Sequence, residues 1–144
     1  MAFSGNFMCT SFKQEILVGT HNFTFSSGDV FKLALYNNSA AFNAATTAYT
    51  ATNETSGTNY VAGGGALTNV TPTTSGTTAL TDFVDETWST ASFSAYGGMI
   101  YNDTAAGNPS VVILDFGGEI TAAAGDFTVV FPAADASNAI IRIA

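Results

Sequence analysis

The sequence is short of positive charge. Only Lys13, Lys32 and Arg142 are basic, against 11 acidic residues, and the formal net charge is −8. Lys and Arg side chains supply most of the affinity for nucleic acids by neutralising phosphates, and they also attract proteins to anionic lipid surfaces. So few and so scattered cations therefore predict a protein with neither a nucleic-acid partner nor a membrane partner.

Cysteine and histidine occur once each, as Cys9 and His21. A lone cysteine cannot form an intrachain disulfide, and one residue of each type does not make a zinc site. His21 would suffice for a Ser–His–Asp triad, but no serine stands in a G-x-S-x-G sequence, and no phosphate-binding glycine loop is present. The sequence predicts a non-enzymatic protein without a cofactor. His21 is predicted to lie just after the end of a helix and to hydrogen-bond a nearby loop.

Long apolar runs are missing as well. Runs such as "VVIL" at 111–114 and "AII" at 139–141 have three or four residues, whereas a membrane-spanning helix needs about 20 apolar residues. The first nine residues, "MAFSGNFMC", contain no Lys or Arg and are interrupted by Ser4, Gly5 and Asn6, which is not the pattern of a signal peptide. We expect a soluble protein.

What the sequence does contain is a series of short apolar segments separated by glycine-rich turns. "DVFKLALY" at 29–36 alternates in the manner of a strand with one buried face. We predict further strands at 58–62, 66–71, 77–84, 87–95, 98–102, 110–116, 126–131 and 138–143, bounded by turns such as "YGG" at 96–98 and "GG" at 117–118. Many short strands at this spacing indicate an all-β fold, a two-sheet β-sandwich or jelly roll. The predicted core residues are Phe31, Leu33, Leu35, Val112, Leu114, Val130 and Ile141.

One short helix is predicted at Ser11–Val18. Ser11 and Gln14 have the spacing of a capping box, Phe12 and Ile16 share a face, and Gly19 provides the end. The segment 37–57 has no firm period and is predicted to be a long surface loop.

The residues before this helix form the candidate interaction site. "MAFSGNFMC" is interpreted as an N-terminal arm, residues 1–9, that orders against a partner or a neighbouring copy through Phe3, Phe7 and Met8. A core strand is the alternative, although Gly5 and Asn6 break the alternation. Residues 10–144 are predicted to form a single β-sandwich domain.

Two other binding functions stay open from the residues. Asp82, Asp85 and Glu86 supply oxygen atoms of the kind that bind Ca²⁺. Trp88, with several tyrosines, could stack on sugar rings if the fold brings them to one exposed face.

Four segments together resemble a group of small proteins encoded by tailed bacteriophages: "SFKQEILVGTHNF", "GDVFKLALY", "TAYTATNETSGTNYVAGG" and "AGDFTVVFPAADASNAIIRIA". The resemblance runs from Ser11 to Ala144 and includes no catalytic motif. It implies a virion structural protein, specifically a capsid decoration (cement) protein on the outer surface of the head. The implied partners are the major capsid protein and further copies of the chain, as a homotrimer. A tail or head-fibre component and a carbohydrate-binding β-sandwich module are the alternatives.

Overall fold

A computed structural model describes residues 3–144, which form two antiparallel sheets and one short helix. The all-β sandwich predicted from the sequence is confirmed. In chain order the elements are β1 (Phe7–Met8), α1 (Thr10–Leu17), β2 (Phe31–Tyr36), β3 (Gly65–Ala66), β4 (Asn69–Ser75), β5 (Thr78–Phe83), β6 (Glu86–Asn102), β7 (Ser110–Val129) and β8 (Ile141–Ile143).

The larger sheet is built around one long hairpin. Its strand order is β1-β7-β6-β2-β3, and the smaller sheet has the order β4-β5-β8. β6 and β7 pair from Glu86 opposite Val129 to Tyr101 opposite Ser110. Of the long strand β6, only the C-terminal part, from Gly97 to Asn102, pairs with β2. The hairpin therefore extends well beyond the strands on either side of it.

The core lies between the two sheets and includes a group of aromatic rings. Phe31 of the larger sheet stacks on Phe23 at 4.3 Å between ring centroids and contacts Phe83 of the smaller sheet at 5.8 Å. The alternation predicted for β2 holds for Phe31, Leu33 and Leu35, which are fully buried. Tyr36 on the opposite face is buried too, because the 37–64 segment covers that face and Tyr36 donates its hydroxyl to the carbonyl of Thr50.

Two predicted core positions differ from the structure. Val112 and Ile141 are buried as expected, but Leu114 is only half-buried and Val130 is 72% exposed. Side chains alternate across a strand, and here the buried Phe127 and Phe131 take the inward positions of that stretch. Val130 directly precedes the inward-facing Phe131, so its side chain is on the opposite side and points to solvent.

Two predicted turns are in fact inside long strands. "YGG" at 96–98 lies within β6 and "GG" at 117–118 within β7, so the four predicted strands of this region are two long ones. Gly97 is required for packing, because a Cβ atom there would lie 2.4 Å from the carbonyl oxygen of Leu114 and 2.6 Å from the ring of Phe3. The predicted strand at 58–62 is a loop that makes a single bridge, Thr58 to Ser92.

The helix is confirmed, but its predicted cap is wrong. α1 begins one residue earlier, and Cys9 occupies the N-cap position with extended backbone angles and no side-chain cap. Ser11 therefore lies inside the first turn, and its buried Oγ has no hydrogen-bond partner among the described residues. The amide of Thr10 donates instead to the carbonyl of Ala44, so the 37–57 loop partly replaces the cap.

Candidate interaction surface

The N-terminal segment packs on its own chain. Phe7 and Met8 form β1 and pair with Ile113 and Val112 at the edge of β7. One residue earlier, the Oδ1 atom of Asn6 accepts a hydrogen bond from the amide of Asp115 at 2.7 Å. In this structure the segment belongs to the domain rather than extending away from it, and its contact with a partner stays a prediction.

Phe3 is buried more deeply than the two strand residues. It is 3% exposed, lies over Gly97 and contacts Phe42 edge-to-face at 6.1 Å between ring centroids. Phe7 and Met8 are half-buried. Of the three predicted contact residues, Phe3 is thus committed to the core of its own chain, while Phe7 and Met8 retain partly accessible surface.

β1 covers only a small part of the outer edge of β7. Among residues 3–144, β7 pairs with β6 along one side and with β1 at Val112 and Ile113 on the other. The corresponding outer edge of β6 is covered, because the backbone of Ser92 exchanges hydrogen bonds with Thr58 and the carbonyl of Ser94 accepts from the hydroxyl of Thr55. The two edges of the hairpin therefore differ, and the edge of β7 is the open one.

The direction of the free backbone groups follows from these contacts. Ser94 pairs with Thr121 and Ser92 with Ala123. In an antiparallel ladder, the backbone N–H and C=O groups of two opposed residues either hydrogen-bond each other or both point away from the pair. The backbone groups of the two serines point away from β7. The N–H and C=O groups of Thr121 and Ala123 consequently point outward, with no strand beside them in the described part of the chain.

Irregularities bound this open stretch on both sides. On one side the four residues 116–119 lie opposite the single residue Tyr96, and Gly117 has φ 77°. On the other, Ala124 has φ 52° and is unpaired. Bulges limit how far a foreign strand can extend along an edge. We call the regular stretch between them, Ile120–Ala123, the docking edge.

An apolar groove of about 480 Å³ adjoins the docking edge. It lies where β7 meets the 130–140 segment. Its apolar lining includes Leu114, Phe116, Ile120, Phe127, Phe131 and Ile140. Ile120 belongs to both the groove and the docking edge and is 48% exposed, so the two features form one continuous surface.

The charged residues that line the groove or flank the docking edge are negative. Asp115 is the only charged residue among the described residues that line the groove. Glu119 and Asp126 flank the docking edge along β7, and both are exposed. Lys32 pairs with Asp103 at 2.9 Å. Arg142 lines the adjoining pocket, which also includes Phe7 and Met8, and donates to the carbonyl of Ala136.

His21 holds the helix to the larger sheet. Its Nδ1 atom lies 3.0 Å from the amide nitrogen of Asn102, so Nδ1 accepts and the Nε2–H group donates to Glu15 at 2.8 Å. The same Asn102 amide donates to Asp29 at 2.7 Å. In residues 3–144 no hydroxyl or thiol hydrogen-bonds this ring. The sequence predicted a bond to a nearby loop, whereas the observed partners are Glu15 of α1 and Asn102 at the end of β6.

Glu54 fixes the long loop in a similar way. Its carboxylate accepts hydrogen bonds from the hydroxyls of Tyr49 and Tyr60, at 2.7 and 2.6 Å, and from the amide of Gly63 at 2.7 Å. Burial and the bond to Glu54 raise the pKa of Tyr49 to about 12, and the same causes raise the pKa of Tyr60 further. These tyrosines are neutral hydrogen-bond donors that attach the loop to the sheet.

The residues considered for sugar and Ca²⁺ binding are not arranged for either ligand. Trp88 is 7% exposed and packs edge-to-face on Phe93 and Phe127, so it offers no platform for a sugar ring. Asp82 is buried and accepts from the amides of Phe83 and Ile140, and burial raises its pKa. Where the structure describes the chain, no three His, Cys, Asp or Glu side chains come together in a way that would hold a metal ion.

No helix within residues 3–144 has the length and apolarity needed to cross a bilayer. Comparisons with protein-family models, with curated proteins and with solved structures found no match to the chain.

Proposed function

We propose that this chain is a non-enzymatic structural protein that binds other protein subunits, and specifically a decoration protein on the outer surface of a tailed-phage head. The observation that carries the binding role is the docking edge beside an open apolar groove. Unpaired strand edges and exposed apolar surfaces are the features through which β proteins take up protein partners. The phage assignment rests on the resemblance of the segments between Ser11 and Ala144.

The way the polar residues are used supports a binding role. His21 and Glu54 have several hydrogen bonds each, and these bonds attach a helix and a loop to the sheets. A rigid scaffold of this kind suits a protein that presents a fixed surface to a lattice of subunits. The net charge of −8 fits a location outside the head, away from packaged DNA.

The proposed partners are the major capsid protein and further copies of the chain, as a homotrimer on the virion surface. The trimer is proposed by analogy with shell-covering proteins, which commonly occupy local threefold positions. This is an argument from the class of protein and not from a site in the structure. The half-buried Phe7 and Met8 are the residues of the N-terminal segment that remain available for such contacts.

Electron cryomicroscopy of purified virions tests the proposal. Virions would be produced from a genome with this gene intact and from the same genome with the gene deleted. We expect regularly spaced density on the outer face of the head in the first sample and its loss in the second. Density on the tail or on head fibres would move the protein to the alternative virion location, and a chain absent from purified virions would overturn the virion role.

A further inference from the structure

We infer that the docking edge takes up a short extended segment of another protein, one in which apolar residues alternate with Lys or Arg, as an added strand of the larger sheet. The inference deepens the proposed binding role and rests on it, because it names how the partner is held. It does not depend on the partner being a capsid protein.

The backbone of the docking edge supplies the first part of the recognition. Thr121 and Ala123 direct their N–H and C=O groups outward, and a strand laid beside them would satisfy these groups. Ala122 and Ala123 are small, so another backbone can approach closely. The added strand would continue the row that β1 begins at Val112 and Ile113. The bulges on both sides restrict regular pairing to Ile120–Ala123, which makes the bound segment short.

The groove supplies the second part. Residues that pair across a ladder share a face of the sheet, so alternate side chains of an added strand would lie on the same face as Ile120 and Ala122. That face carries the buried Phe127, and Phe116 lies 6.3 Å from it between ring centroids. An apolar side chain at these positions of the partner would therefore enter the groove beside Ile120.

Charge identifies the kind of segment. Asp115 lines the groove, and Glu119 and Asp126 stand at the two ends of the docking edge. Opposite charges on neighbouring strands stabilise the pairing and like charges weaken it. The segment that fits has Lys or Arg at the positions that do not enter the groove, where the side chains reach Glu119 and Asp126.

The same charges argue against a second copy of the chain as the occupant. If two docking edges paired antiparallel, with Thr121 opposite Ala123, Glu119 of one copy would lie beside Asp126 of the other. Each copy also has a net charge of −8. Because like charges oppose this arrangement at both ends, the proposed trimer would use a different surface.

Synthetic peptides on the full-length protein test the inference. The probe is a capped octapeptide of alternating Lys and Val, and the matched controls are the same peptide with Glu in place of Lys and the Lys–Val peptide with a central Pro. We expect the Lys–Val peptide to slow hydrogen exchange of the Thr121 and Ala123 amides by about tenfold or more, as bound amides exchange only on opening. The control peptides should leave both amides unchanged. Equal protection by the Glu peptide, or no protection by the Lys peptide, would overturn the inference.

Variants of the protein locate the binding. Thr121→Pro removes an outward N–H group and leaves the ladder to β6 in place, since proline is tolerated where an edge N–H faces solvent. Ile120→Asp places a charge in the groove, and its control is Val61→Asp, at a loop residue that is 75% exposed. We expect Thr121→Pro and Ile120→Asp to weaken peptide binding in titration calorimetry by about tenfold or more, and Val61→Asp to leave it unchanged.

Charge reversal gives a readout that does not depend on the groove variant being folded. Glu119→Lys with Asp126→Lys changes only exposed side chains. This double variant should prefer the Glu–Val peptide over the Lys–Val peptide, and an unchanged preference would contradict the role of charge. The two proposals fail separately: absence of the unmodified chain from purified virions would refute the virion role alone, whereas absence of Lys–Val peptide binding to the unmodified protein would refute the docking edge alone.

Discussion

Phe3→Ala tests whether the N-terminal segment is part of its own domain. Phe3 is 3% exposed, and burying a phenylalanine side chain stabilises a fold by about 1.5–3 kcal/mol. Its edge-to-face contact with Phe42, at 6.1 Å and 70°, adds about 0.5–1.5 kcal/mol. The substitution should therefore lower the free energy of unfolding by about 2–4.5 kcal/mol, close to the usual cost of Phe→Ala in a core.

The assay is thermal or urea unfolding followed by circular dichroism. For a chain of this length the expected loss lowers the melting temperature by about 4–18 °C. Ser4→Ala, at the exposed neighbouring residue, is the control and should have no effect. Deletion of residues 2–8 should cost at least as much as Phe3→Ala, because the deletion also removes β1 and its pairing with β7.

Protein concentration separates the two interpretations of the segment. If Phe3 packs within its own chain, the loss of stability is the same at every concentration. The reasoning would be refuted if Phe3→Ala left the unfolding midpoint unchanged and weakened self-association instead. In that case the segment acts as an arm held by a neighbouring copy, as the sequence predicted.

Four further substitutions test other parts of the structure. In urea unfolding, Ser11→Ala should raise the free energy of unfolding by about 1 kcal/mol, because it removes a buried hydroxyl without a partner among the described residues. Ser110→Ala should lower the free energy of unfolding by about 1 kcal/mol, because it removes a hydrogen bond from the Ser110 hydroxyl to the carbonyl of Thr46. Burial raises the pKa of Glu86 in the folded protein. The contribution of Glu86 to stability is therefore present below the pKa of the unfolded state and is lost as the pH rises through the pKa of the folded state. Glu86→Gln should have the same melting temperature as the parent protein at pH 4 and a higher one at pH 7. Glu54→Gln should lower the pKa of Tyr49 from about 12, measured by tyrosinate absorbance.

The strands that alternate cleanly could be predicted from the sequence. Phe31, Leu33 and Leu35 share a face because side chains alternate along a strand, and that face meets the second sheet. The glycines misled the prediction of strand length. Gly97 is needed where the ring of Phe3 and the carbonyl of Leu114 approach the strand, and a contact with a residue so distant in the sequence is not visible in the local pattern.

The docking edge could not be predicted for a related reason. Whether another strand lies beside Thr121 depends on where β1 ends. That is set by the pairing of β1, near the N-terminus, with β7. The flanking acids Glu119 and Asp126 are visible in the sequence, but their meaning depends on the edge between them. The apolar residues before the helix were interpreted as an arm, with a core strand as the alternative, and in the structure Phe7 and Met8 pair with the chain's own β7.

The order of pairing also has a consequence for synthesis of the chain. The hairpin of β6 and β7 joins residues close in sequence around the 103–109 turn, and such local pairing forms within about 1–10 μs. β1 must instead find Val112 and Ile113, which are made long after it. While the ribosome is still producing β7, Phe3, Phe7 and Met8 have no site to occupy, so the nascent chain exposes this apolar tail for most of its translation. We therefore expect chaperones that act on nascent chains to hold this tail until Val112 and Ile113 have been made.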